Sequence, residues 1–237
     1  MTGQRQIPKF HRISRTANRR AHARHPYAHH IRRLPVALRS LVPRLELAAG
    51  SRVLDYGCAE RPYRDFFGPT VEYVGADLEG NPDADLILRA DGSVPAPEQS
   101  FDAVISTQVL EHVQDPALYL AECFRLLRPG GRLLLSTHGV FPYHPDPVDL
   151  WRWTCAGLRL AVQDAGLQVV EFEGLIGMAA SGLQLVQDAV SYRIRPRWVP
   201  WLALMMQPLV AFADRFETPE TLGYNAQVFA LVAQRPR

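Results

Sequence analysis

From Gly50 onward, short apolar runs alternate with stretches of helical period, the pattern of β-α-β units on a parallel sheet. The runs are Arg52–Tyr56, Val71–Ala76, Leu86–Arg89, Phe101–Ser106, Arg132–Thr137 and Gln168–Phe172, with a seventh over Gln227–Ala233. Before the fifth run, Ala117, Ala121, Phe124 and Leu127 share one helical stripe. Arg128 suits the negative end of that helix and Pro129-Gly130-Gly131 stops it. Thr154 is a plausible N-cap for a helix ending near Gly166. Residues 34–49 carry helical spacing around Pro43, which predicts one or two short helices. Between the sixth and seventh runs, residues 174–224 keep helical period over a length unusual for a plain connection. That insertion is a candidate lid or substrate wall.

The chain has 237 residues, 47% apolar and 21% charged, enough for one α/β domain with an extension. Its net charge of +2 conceals an asymmetry: the first 44 residues hold eleven Lys or Arg and no acid. Residues 1–33 show little hydrophobic periodicity and read as a basic, mobile arm ahead of a mildly acidic domain over 34–237. The arm, with Tyr27 and five histidines, has the chemistry to hold phosphate backbones. The acidic body favours a solvated leader instead. Its pairs His22/His25 and His29/His30 lack cysteine or acidic companions, and no metal site is expected.

Cys58, Cys123 and Cys155 are widely spaced and form no CxxC pair, which argues for a reducing compartment and, by default, the cytoplasm. The basic start is followed by no apolar signal core. The stretch from Trp198 to Ala213 is broken by Pro200 and Pro208 and is too short to span a bilayer. Lacking the Lys/Arg-rich polar face of membrane-surface helices, it reads as a helix packed on the domain or on a second copy in a homodimer.

Three segments carry candidate chemistry. In VLDYGCAERPYR (residues 53–64) a strand runs into Asp55 and turns at Gly57 and Cys58; a helix is expected next, so that amides at its start hold an anionic group. Ala59 and Arg61 occupy places where a dinucleotide fingerprint needs small residues, which counts against NAD. In YVGADLEG (73–80) Asp77, followed by Leu78, ends the second strand and is placed to accept from ribose hydroxyls. In RADGSVPAPEQSFDAVIS (89–106) Asp91 closes the third strand and Gly92 lets the chain pass a flat ring.

The order VLDYGC, GADLE, ADGSVPAPEQSFDAVIS, TQVLEHVQDP and LRPGGRLLLSTHG resembles the class I S-adenosylmethionine-dependent methyltransferases, in the branch acting largely on small molecules. The resemblance spans residues 50–173 and the C-terminal NAQVFALVAQ. It implies a Rossmann-like α/β fold with strand order 3-2-1-4-5-7-6 and an antiparallel seventh strand. It also implies S-adenosyl-L-methionine as cofactor, with contacts at Asp55, Gly57, Cys58, Asp77, Leu78, Asp91, Gly92 and Gln108, the methionine carboxylate lying at the first turn. Ala59 departs from the family's usual glycine.

Methyl transfer from a sulfonium needs alignment and dryness, and it needs a base only where the acceptor must lose a proton. Candidate bases lie after the fifth strand, His144 and His138, in THGVFPYHPDPVDLWRWTCAGL (137–158). His112, Tyr143, Asp149, Trp151 and Arg152 are candidate substrate contacts, with Arg152 able to clamp an anion. Asp149 and Arg152, three apart, have the alternative of pairing with each other. The expected acceptor is a small molecule: a sugar, a glycan precursor or a natural-product intermediate. RNA methylation through the arm, or a cofactor-binding scaffold without turnover, are the competing readings.

Overall fold

The computed structural model describes residues 23–145 and 148–237. Phe101–Thr107 (β4) is apolar almost throughout and buried at six of its seven positions, as a strand covered on both faces must be. Arg52–Tyr56 (β1) and Val228–Gln234 (β7) are buried in the same way. With Glu72–Asp77 (β2), Leu86–Ile87 (β3), Leu127–His138 (β5) and Gln168–Leu175 (β6) they form one sheet in the order β3-β2-β1-β4-β5-β7-β6. Pairings from β3 across to β5 are parallel, and β7 runs antiparallel between β5 and β6. All seven predicted runs become strands, in the order the resemblance implies.

Alternate residues of these strands feed two cores. Val53, Ala103, Ile105, Leu134 and Val232 pack toward Ala28–Leu41 (α1). Leu54, Val104, Leu133, Leu135 and Leu231 pack toward Pro116–Leu126 (α2) and Cys155–Asp164 (α3). Thr154 caps α3 as expected, accepting from the Gly157 amide at 3.0 Å.

Three expectations change. In α2 the buried stripe is Tyr119, Leu120, Cys123 and Leu126, while Ala117 and Ala121 are exposed and Leu127 already belongs to β5. Asp115 caps the helix ahead of Pro116, and the bulkier side chains bury more apolar surface than the alanines would. Arg128 lies beyond the helix and pairs with Asp102 at 2.6 Å.

No α-helix follows Gly57. Ala59 and Arg61 both take left-handed backbone angles, Pro62 follows, and only the short 3₁₀ turn Arg64–Phe66 forms before β2.

The helix expected from residue 34 begins at Ala28, inside the segment read as an arm, and buries Ala28, His29, Leu34, Ala37, Leu38 and Leu41. Its arginines lie on the outer side, which is why composition hides it. The rest of the arm, residues 1–22, lies outside the described residues. The 174–224 insertion folds as Met178–Ser191 (α4), Val199–Ala213 (α5) and the short Pro219–Tyr224 (α6), with α4 packed on α5 and α5 on α1.

Candidate active site

The carboxyl ends of β1 and β2 and the turn after β3 bring three acids to one edge of the sheet. Asp55 is buried, and its Oδ2 accepts from the Tyr73 hydroxyl at 2.5 Å. Burial, reinforced by the Asp55 charge, pushes that phenol well above its ordinary range, so it stays a donor. Asp77 Oδ2 accepts from the Ala59 amide and from Asn81 Nδ2, both at 2.7 Å, and its Oδ1 accepts from the Leu78 amide at 2.8 Å. A carboxylate has about four acceptor positions, so Asp77 arrives oriented with one to spare. The Leu78 side chain beside it is exposed. Asp91 is exposed and accepts from the Ser93 amide and hydroxyl, bonds that hold its carboxyl below the usual range. Gly92 accepts the Tyr56 hydroxyl through its carbonyl.

The first turn departs from expectation. The amides of Gly57 and Cys58 both donate to the Ala76 carbonyl, at 2.8 and 3.1 Å, and that of Ala59 is spent on Asp77. With no helix behind them, these amides form no cradle for the methionine carboxylate. Gly57 is needed for clearance: at φ +84° a Cβ there would lie 2.5 Å from Val109 Cγ2. The buried Cys58 thiol packs beneath Gly75 and is pushed up to about 12, chiefly by desolvation. Gln108 ends β4 in a left-handed conformation, its amide on Ser136 O and its side chain on Ser136 Oγ. Asp91 thus lies four residues beyond β3 and does not close that strand; the three acids have the acceptor chemistry that a nucleoside requires, while the turn offers no free amides to a carboxylate.

Beyond β5 the chain gathers a second set of polar groups. His138 closes the strand, buried, with Nδ1 3.0 Å from Glu111 Oε1. Thr137 Oγ1 donates to Glu111 Oε2 at 2.9 Å. The His144 ring stands 4.7 Å from that of His138 and 5.1 Å from that of His112. His144 Nδ1 lies 3.4 Å from Asp149 Oδ2, which also accepts the His144 amide. Phe141 stacks on His138 at 3.9 Å. Burial is the main cause that lowers both rings: His138 lies well below the usual histidine range and His144 at about 4. Both are neutral at physiological pH.

Two members of this cluster come from the segment read as an arm. His30 faces His138 and Phe141, and burial lowers it to about 4; Tyr27 stacks on Phe141.

Arg152 does not wait for a ligand. Its five N–H donors go to Phe141 O, Asp149 Oδ1, Trp151 O, Pro142 O and Asp149 Oδ2. The anticipated anion clamp is thus a loop clamp, and the Asp149–Arg152 pairing is the correct alternative. His112 Nδ1 meets Val148 O and Trp151 Nε1 donates to Val113 O, so both also anchor the 141–152 loop. Tyr143 is exposed. A cleft of about 210 Å³ opens beside the end of β5, lined by Gly139, Val140, Trp153, Asn225 and Phe229.

Glu111 escapes sequence reasoning because it reads as one more acid in VLEH beside the more conspicuous His112. Its signal is a carboxylate placed directly after a buried strand. Glu111, His138 and His144 each offer a ligand atom within 4.8 Å of the others, close enough to share one cation. No metal set is expected from the sequence, since these residues are scattered along it.

The methyltransferase-domain family model matches residues 27–171. A probable S-adenosylmethionine-dependent methyltransferase of Mycolicibacterium smegmatis is 31% identical over 143 residues, covering 54% of this chain and 56% of that protein. A ubiquinone biosynthesis O-methyltransferase of Dinoroseobacter shibae is 34% identical over 162 residues, covering 54% of this chain and 64% of its own length. The chain thus spans between half and two thirds of these curated relatives. Among solved structures, the [4+2]-cyclase SpnF superposes with a TM-score of 0.57 at 19% identity, covering 92% of this chain and 85% of that one, a likeness of fold. With its family match over more than half its length and the family's strand order in its sheet, the chain belongs to the class I S-adenosylmethionine-dependent methyltransferases.

Proposed function

We propose that this protein transfers a methyl group from S-adenosylmethionine to a hydroxyl of a small molecule, and that His144 removes the hydroxyl proton. The cluster of neutral histidines on the buried Glu111 carboxylate, at the carboxyl end of β5, carries this reading. Two O-methyltransferase relatives at 34% and 36% identity support oxygen as the acceptor atom.

When bound, the cofactor supplies an electrophilic methyl on a sulfonium. Asp77 and Asp91 would hold its ribose and adenine, and Asp55, kept oriented by Tyr73, faces its amino-acid end. His144 keeps some solvent access while His138 is sealed, so His144 is the ring that meets an acceptor. With Nδ1 turned to Asp149, its Nε2 is the atom that takes the proton. Asp149 then faces the imidazolium and opposes, in part, the burial that disfavours it. Phe141 and the 141–152 loop, cinched by Arg152, exclude water. The RNA reading depends on residues 1–22, outside the described structure, and no described feature favours it.

His144→Gln tests the proposal. S-adenosylhomocysteine formation with a small hydroxylated acceptor should fall roughly a hundredfold or more while cofactor affinity holds. Wild-type turnover in the variant would contradict it.

A further inference from the structure

Helices α4 and α5 are built inside out. The buried stripe of α5 is Ala203, Gln207 and Val210, followed by Asp214, whereas its outer stripe is Trp201, Leu204, Met205, Pro208, Leu209 and Phe212, continuing to Phe216. Met205 is 72% exposed, Phe212 58% and Phe216 71%. In α4 the buried residues are Ala180, Ser181, Gln184, Gln187 and Asp188, while Met178, Leu185, Val186 and Val190 face out.

The polar groups are consumed between the helices. Gln207 Nε2 donates to Gln184 Oε1 and Gln187 Oε1, both at 2.9 Å, and its Oε1 accepts the His29 amide at 2.8 Å. Asp188 accepts from Tyr27, and Asp214 from His29 and the Gly177 amide. A water-facing helix places polar residues outward and apolar ones inward. Here the order is reversed on two adjacent helices, and the result is a broad apolar surface.

Charge names the occupant. The α4–α5 connection carries Arg193, Arg195 and Arg197, all exposed, with Trp198 and Trp201 at the junction with the apolar stripe. Arg24 lies over the Trp201 ring at 4.6 Å, which adds a fourth arginine at this face. No residue from 199 to 213 is charged. Apolar side chains, interfacial tryptophans and converging arginines match a bilayer surface with anionic headgroups. The α5 helix has no basic face of its own; the basic groups come from Arg193, Arg195 and Arg197 of the connection and from Arg24. At 14 and 15 residues the helices are about 21–23 Å long, and no described helix is long and apolar enough to cross a membrane. We propose that the α4–α5 face lies on an anionic lipid surface, held by Trp201, Met205, Leu209, Phe212 and Phe216 in the acyl boundary and by the arginines on the headgroups. A second copy would bury the same stripe without using the arginines beside it.

The test is co-sedimentation of the full chain with vesicles of equal parts phosphatidylcholine and phosphatidylglycerol, beside phosphatidylcholine alone, with sedimentation equilibrium in parallel. Binding should require phosphatidylglycerol and weaken with salt. Met205→Ser/Phe212→Ser should weaken it tenfold or more, roughly, without altering the circular dichroism melt, because both side chains are exposed. Arg193→Gln/Arg195→Gln/Arg197→Gln should weaken it on the order of a hundredfold. Absence of binding, or binding that ignores the Met205/Phe212 change, would overturn the proposal. So would a dimer that the same change dissociates, in a protein that leaves vesicles untouched.

Discussion

Glu111 Oε1 and His138 Nδ1 stand 3.0 Å apart with both side chains buried, one in the turn after β4 and the other closing β5. Adjacent parallel strands bring these two loops together. The contact sets a buried carboxyl group behind a pair of histidines that burial keeps neutral, and the proposed proton transfer depends on that group.

Glu111→Gln keeps the shape and an acceptor for the Thr137 hydroxyl but removes the charge. A fall in kcat of roughly ten- to a thousandfold is expected, with KM for the acceptor nearly unchanged. Steady-state kinetics beside a thermal melt check this; a melt shift without a kcat change would assign Glu111 to structure alone.

Arg152→Lys tests the loop clamp. Lysine has three donors against five and cannot reproduce the fork on Asp149 with the bonds to Phe141 O and Pro142 O. The 141–152 loop should become protease-sensitive and the acceptor KM should rise about tenfold, while cofactor affinity holds. An unchanged KM would show that the clamp does not shape the acceptor site.

Stability should fall as pH drops from about 6.5 toward about 4. His30 and His144, at about 4 in the fold, and His138, which burial holds well below its ordinary range, stay neutral while the unfolded chain takes up protons. Proton uptake by the unfolded state alone lowers stability with falling pH. Asp188 and Glu173, raised by burial, act in the opposite direction and blunt the effect. Melts at pH 7 and pH 5 should differ, and His144→Gln should narrow the difference. A flat profile would mean that these rings are not held neutral.

The centre of the sheet is legible in the sequence because β1, β4, β7 and most of β5 are buried on both faces and read as apolar runs between turns. Pattern fails where polar residues are recruited inward. Gln184, Gln187 and Gln207 look like a solvent face and form the α4–α5 interface. His29 and His30 look like part of a leader and sit in a packed helix, because their partners Asp214 and Gln227 are far away in sequence. The acids Asp55, Asp77 and Asp91 are found by spacing alone. The fate of the Gly57 amides is not, since it turns on Ala59 and Arg61 adopting left-handed angles that no periodicity reports.

Calorimetric titration with S-adenosylmethionine, S-adenosylhomocysteine and NAD tests the central claim most directly. Both sulfur nucleosides should bind, with affinity lost on the order of a hundredfold in Asp77→Ala and kept in His144→Gln. Binding of NAD in their place, or sulfur-nucleoside binding indifferent to Asp77, would contradict the assignment of the strand-end acids to this cofactor.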